Sequence, residues 1–203
     1  MHCRAFFPGG DGLWQPSSPS KTIRILFLGS DFNNEANYES EFAKPKSEMR
    51  DSPKTWAGLT KLIDSADIDP EECFFTNAWP CLRKGDYPNS GDPPGAKDHD
   101  FTSRCLAFFR LTLERLEPRY VIPLGKWPTQ FLSGIAPYVM RNWRTAAWRC
   151  IDRTDNISLD LGGKPMTFIP AIHPCLPNHR HRSVHKTSSA EALHIRGILA
   201  GRP

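Results

Sequence analysis

Four short apolar runs alternate with segments whose apolar residues recur every three or four positions. Ile23–Gly29 is mostly apolar and ends at glycine, as a buried parallel strand does. A polar stretch from Ser30 to about Ser52 follows. A helix is predicted from Pro53 to Ala66, with proline suited to its first turn and Trp56, Leu59, Leu62 and Ile63 on one face. Cys73–Thr76 reads as a second strand ending at Asn77, and residues 81–100, rich in Pro, Gly, Asp and Asn, as a long loop. Leu106, Phe109, Leu113 and Leu116 support a helix over Phe101–Leu116, closed by Pro118. Tyr120–Gly125 is a third strand, whose internal Pro123 argues against a central place. A short helix over Pro128–Leu132 comes next. Residues 134–165 give no clear period. Met166–Ile172 is a fourth strand, and a last helix spans Ser188–Leu199.

Strand–helix alternation of this kind predicts a parallel sheet with helices on both faces, a three-layer α/β/α arrangement. Residues 1–21 carry the turn and linker chemistry of Pro8-Gly9-Gly10 and Pro16-Ser17-Ser18-Pro19, which predicts a loose arm before one domain over 22–203. Ligands of open α/β sheets sit beyond the carboxyl ends of the strands. Three such ends each deliver one polar residue: Asp31 after Gly29-Ser30, Asn77 after Thr76, and His173 after Ile172.

A chain of 203 residues with 39% hydrophobic and 24% charged content can bury a core, which excludes wholesale disorder. No apolar run is long enough to cross a bilayer, and the start has no signal-peptide core, so a cytoplasmic protein without membrane contact is expected. The six cysteines are scattered, which favours thiols over disulfides. The net charge of +4 is mild, but its placement is uneven. From Ala171 to Pro203 the basic residues Arg180, Arg182, Lys186, Arg196 and Arg202 face one acid, Glu191. That end suits either a solvated surface or one facing phosphates.

The strand ends carry a resemblance. Gly29-Ser30-Asp31-Phe32-Asn33 resembles the first motif of the uracil-DNA glycosylase superfamily, and Phe75-Thr76-Asn77-Ala78-Trp79-Pro80-Cys81 the strand whose Asn reads the uracil edge. Val121-Ile122-Pro123-Leu124-Gly125-Lys126 is similar to the structural strand with its Leu-Gly ending, and His173-Pro174-Cys175-Leu176 to the His-Pro-Ser-Leu motif of the intercalation loop. The resemblance covers about Ile23 to Leu199. It implies a four-stranded parallel sheet flanked by helices, and a monomeric enzyme that removes bases from DNA without a redox cofactor. Phe32 stands where the family usually has Pro, and Cys175 where it has Ser. The iron–sulfur branch uses four cysteines; Cys81 and Cys105 fall near two of those places, but the N-terminal pair is reduced to Cys3, so no cluster is expected.

Hydrolysis of an N-glycosidic bond leaves a cationic sugar and an anionic base. The resemblance assigns Asp31 to orient water and face the sugar, and His173 to donate to the O2 of the base as charge builds there. The amide of Asn77 offers a donor and an acceptor side by side, the pattern complementary to O4 and N3–H of uracil. Phe42 and Trp56 are the candidates for an aromatic platform under a flipped base, although a core place suits Trp56 as well. Leu176 is placed to fill the gap left in the duplex, and Arg180 and Arg182 to grip phosphates. Asp31 and Asn77 also have a plainer reading as turn residues after strands.

Other readings stand beside this one. Cys175, His179, His181 and His185 form a tract with zinc-ligand chemistry, but the spacing matches no standard finger and interleaved arginines repel a cation, so no metal is expected. A phosphate loop at Gly125-Lys126 lacks the glycine-rich segment it needs, because Val121–Leu124 is a strand. The strongest rival is a DNA-binding or damage-sensing module that keeps the glycosylase fold without the chemistry.

Overall fold

The computed structural model describes residues 22–32, 34–36, 54–84, 91–145, 147, 151, 155–175, 185 and 187–201, with backbone alone at 54 and 56. The strands are β1 (Ile25–Gly29), β2 (Cys73–Asn77), β3 (Tyr120–Pro123), β4 (Ile157–Leu161) and β5 (Lys164–Phe168). The helices are α1 (Lys54–Ser65), α2 (His99–Leu116), α3 (Lys126–Leu132) and α4 (Ser188–Leu199).

One sheet has the order β2-β1-β3-β5-β4. The first four strands run parallel, with Ile25 opposite both Cys73 and Tyr120, and Tyr120 opposite Thr167. Every residue of β1 is buried, because both faces of the sheet are covered. On one face Ile25, Phe27, Phe75, Ile122 and Leu124 meet Leu59, Leu62 and Ile63 of α1 and Ala192 and Ile195 of α4. Phe27 and Phe75 stack across the β1–β2 pair with centroids 5.3 Å apart. On the other face Leu26, Leu28, Val121 and Phe168 meet Cys105, Phe109 and Leu113 of α2 and Phe131 and Leu132 of α3. Alternate residues of one strand thus feed opposite cores, as the period of two requires.

The helix starts have local causes. Asp98 Oδ1 accepts the Phe101 N–H at 2.8 Å, so α2 begins before the expected Phe101. Thr187 Oγ1 does the same for Ala190 at 3.1 Å, which fixes the start of α4 where the sequence places it.

Two expectations are corrected. The sheet has five strands, not four: β4 lies antiparallel to β5 at the edge, with Ile157 opposite Phe168 and Leu161 opposite Lys164. Its turn is Gly162-Gly163, at φ 66° and 82°, a two-residue hairpin open to glycine at both positions. Pro123 does not push β3 outward; β3 is the middle strand. The Tyr120 and Leu124 N–H groups donate to Arg24 and Leu28 on the β1 side. Strand alternation then directs the Pro123 nitrogen toward the β5 side, between the Val121–Phe168 and Leu124–Ala171 pairs. One ladder bond is missing there, the one an N–H would give, but the pairing continues past it: Ala171 N–H donates to the Pro123 carbonyl at 3.0 Å and Gly125 N–H to Ala171 O at 2.7 Å.

Candidate active site

The carboxyl ends of the central strands stand at one level. Gly29 is opposite Asn77, Leu28 opposite Pro123, and Leu124 bridges Ala171. The level therefore passes through Asn77, Gly29, Leu124 and Ala171. Asp31 and His173 follow two residues beyond it. Asn77 and the chain leading to His173 are three strand spacings apart, about 14 Å.

Asn77 ends β2 and is 5% accessible. Its cross-strand partner is Gly29, which has no side chain to cover it. Among the described residues neither its Oδ1 nor its Nδ2 has a hydrogen-bond partner. An unsatisfied buried polar group costs about 1–3 kcal/mol, so the Asn77 amide keeps its donor and acceptor unmatched among the described residues at a cost to stability. The buried Ser30 Oγ, just after β1, and Trp127 Nε1, in the first turn of α3, are also without partners among the described residues.

Asp31 lies where the β1–β2 pairing continues through Ala78 N–H to Gly29 O and Trp79 N–H to Ser30 O. Phe32, where the family usually has Pro, uses its N–H to bond Cys81 O at 3.1 Å, and Asn34 bridges Arg83. The segment after β1 thus runs beside the segment after β2. That brings Arg83 Nε to 2.9 Å from Asp31 Oδ2, with the two side chains 4% and 7% accessible. Sequence reasoning missed Arg83. Its only signal was chemical: a carboxylate at a covered strand end needs a cation, and Arg83 lies in the segment that follows the neighbouring strand.

His173 is half-buried. Its Nδ1 accepts the Cys175 backbone N–H at 3.3 Å and lies 2.9 Å from the Cys175 thiol. Burial pulls the ring's pKa down to about 4, so the imidazole is neutral near pH 7. With Nδ1 accepting, the ring proton sits on Nε2 and points away from its own loop. Cys175 therefore keeps a hydrogen-bonding role where the family has Ser. From beneath, the loop is seated on α1: a Cβ on Gly58 would fall 2.4 Å from Pro174 O.

Of the other expected residues, Phe42, Leu176, Arg180 and Arg182 lie outside the described residues, as does the side chain of Trp56, although its backbone belongs to α1. His179 and His181 of the metal reading lie outside them too. Among the described residues no three His, Cys, Asp or Glu side chains are grouped to hold a metal. Cys81 and Cys105 are reduced thiols on the α2 side of the sheet, and burial pushes the Cys81 thiol up to about 11. Cys73 lies on the opposite face, so the described cysteines do not assemble the four ligands of a cluster.

A sequence model of the uracil DNA glycosylase superfamily matches residues 16–194 of the 203. The chain belongs to the uracil DNA glycosylase superfamily. No curated protein matches it. Membership of the superfamily agrees with the mixed α/β fold and with a glycosylase-like role on DNA. Among the described residues no helix is long and apolar enough to cross a membrane.

Proposed function

We propose that the chain is a DNA glycosylase that hydrolyses the N-glycosidic bond of a flipped-out uracil or a related deaminated base in DNA. The observation that carries this reading is the buried Asn77 amide, unpaired at both ends among the described residues, on the rim beyond which Asp31 and His173 follow. An extruded uracil would satisfy it: Nδ2 donates to O4 while Oδ1 accepts N3–H. Cytosine presents the opposite pattern and would leave both pairs repulsive.

His173 Nε2–H would donate to O2 as the C1′–N1 bond lengthens and the base takes the bonding pair. The preset tautomer requires no reorganisation at that moment. Asp31, held by Arg83, would orient the water that adds to C1′ and would face the positive sugar. The water's proton leaves for solvent or the departing base, so the products are uracil and an abasic site. Phe42 or Trp56 would stack on the base, Leu176 would fill the gap in the duplex, and Arg180 and Arg182 would bind phosphates.

The test is base release from a uracil-containing oligonucleotide, read as strand scission after alkali. Scission is expected with the wild type and its loss with Asp31→Ala combined with Asn77→Ala. Scission that survives the double substitution overturns the assigned site. No scission on uracil, hypoxanthine or xanthine substrates, with DNA still bound, supports the binding module instead.

A further inference from the structure

We propose that Glu191 is a positioning residue for His173, acting through the backbone amide of Ile172. Glu191 is in the first turn of α4, and its carboxylate is buried, the residue being 3% accessible. Its Oε1 accepts the Ile172 N–H at 2.6 Å, one residue before His173.

The sheet creates the need for this bond. Ala171 N–H donates to Pro123 O on the β3 side, so the next N–H, that of Ile172, is directed away from β3. The strand on that side is β4, whose pairing with β5 stops at Ile157 opposite Phe168. Beyond Phe168 no described residue of the β4 side supplies an acceptor, and Ile172, itself buried, needs one for its N–H. Glu191 supplies the acceptor from a helix.

A neutral oxygen would satisfy one amide. A carboxylate gives that amide a shorter, stiffer bond than a neutral acceptor would. The stiffness is delivered to a specific place. Ile172 leads directly into the His173–Cys175 turn, in which Nδ1 is already committed to Cys175 and Pro174 is pressed against Gly58 of α1. The turn is thus held at Pro174 by α1 and at Ile172 by α4, and the direction of Nε2–H follows from these two holds.

The effect on catalysis rests on the glycosylase reading; the effect on the ring does not. Full-length Glu191→Ala and Glu191→Gln are compared with the wild type in two measurements. In the first, uracil release from an oligonucleotide, Glu191→Ala is expected to lower kcat by about 10²-fold, the scale of an ångström-sized misplacement, with KM little changed. Glu191→Gln, which keeps an acceptor oxygen at the same reach, is expected to restore most of that loss. In the second, nitrogen NMR of the His173 ring without DNA, the wild type and Glu191→Gln are expected to show the Nε2–H tautomer and Glu191→Ala an averaged ring. An unchanged ring and unchanged kcat in Glu191→Ala, with only a lower Tm, overturn the proposal and leave a structural tie. If the wild type releases no base, the glycosylase reading fails while the ring spectra still decide the role of Glu191. Should Glu191→Ala not fold, Glu191→Asp, one methylene short of Ile172, carries the same comparison.

Discussion

Arg83 Nε donates to Asp31 Oδ2 at 2.9 Å, and both side chains are more than nine-tenths buried. The pair joins the segment after β1 to the segment after β2, so removing either partner takes the nearest opposite charge from a buried charged group. Arg83→Leu is expected to cost about 3–5 kcal/mol, whereas the double change Asp31→Leu with Arg83→Leu costs much less than the sum of the two single changes. Chemical denaturation of the four proteins gives the coupling directly. Additive losses would mean that the two charges do not depend on one another.

Asn77 predicts the opposite balance between stability and activity. Its Oδ1 and Nδ2, buried and without partners among the described residues, lower the stability of the free protein, so Asn77→Leu, similar in volume, is expected to raise it by about 1–3 kcal/mol. The same change removes both hydrogen bonds proposed for the base, and base release is expected to fall by at least about 10²-fold. A variant that gains stability and loses activity marks Asn77 as a ligand-facing group. A variant that loses stability shows that the amide has partners in solution.

The His173 ring gives a pH dependence with a definite sign. Burial lowers its pKa from 6.5 to about 4, so between those values the unfolded chain holds a proton that the folded chain does not. The stability this ring contributes is complete above pH 6.5 and is lost as pH falls toward 4, to a total of at most about 3 kcal/mol. Denaturation midpoints measured from pH 7.5 to 4.5 should fall less steeply for His173→Gln than for the wild type. Because the ring is neutral throughout, kcat for base release should show no inflection near pH 6.5 that disappears in His173→Gln. Replacing Cys175 with Ser should leave both profiles in place, since Ser keeps a donor beside Nδ1.

The sheet was legible where its strands were continuous apolar runs and the helices where apolar residues recurred at helical spacing. β1, β2 and α4 lie within a few residues of where the pattern puts them. β4 was not, although Ile157-Ser158-Leu159-Asp160-Leu161 alternates and Gly162-Gly163 follows it. An edge strand buries only one set of its side chains, and this one was hidden in a segment that also holds Trp143, Trp148 and several turn signals. Pro123 misled because the rule against central proline concerns a lost ladder bond, and one lost bond does not part strands that are bonded on both sides of it, by Ile169 N–H to Val121 O and Ala171 N–H to Pro123 O. The positions of Asn77 at a strand end, and of Asp31 and His173 two residues past the level of Gly29 and Ala171, were legible because apolar runs mark where those segments end. Arg83 and Glu191 were not, since a buried charge on a loop or a helix turn is recognisable only from the group it answers. Both lie far in sequence from Asp31 and Ile172, the groups they hold.

Gly58 offers the sharpest test of how the His173 turn is seated. Glycine within a helix such as α1 is unfavourable, and on helix propensity alone Gly58→Ala should stabilise the protein by about 1 kcal/mol. At this position the added methyl would meet Pro174 O at 2.4 Å and the Pro174 carbonyl carbon at 2.9 Å, and both are backbone atoms that no rotamer change can move aside. The turn must therefore shift away from α1, carrying His173 and Cys175 with it. Gly58→Ala is expected to bring no net gain in Tm and to lower base release by about 10²-fold with little change in KM, because the displaced group acts as the bond to the base breaks. Gly197, on α4, has nothing within 4 Å of its Cβ position, so Gly197→Ala is the control, expected to gain stability without loss of activity. Equal behaviour of the two variants would show that α1 does not brace the turn.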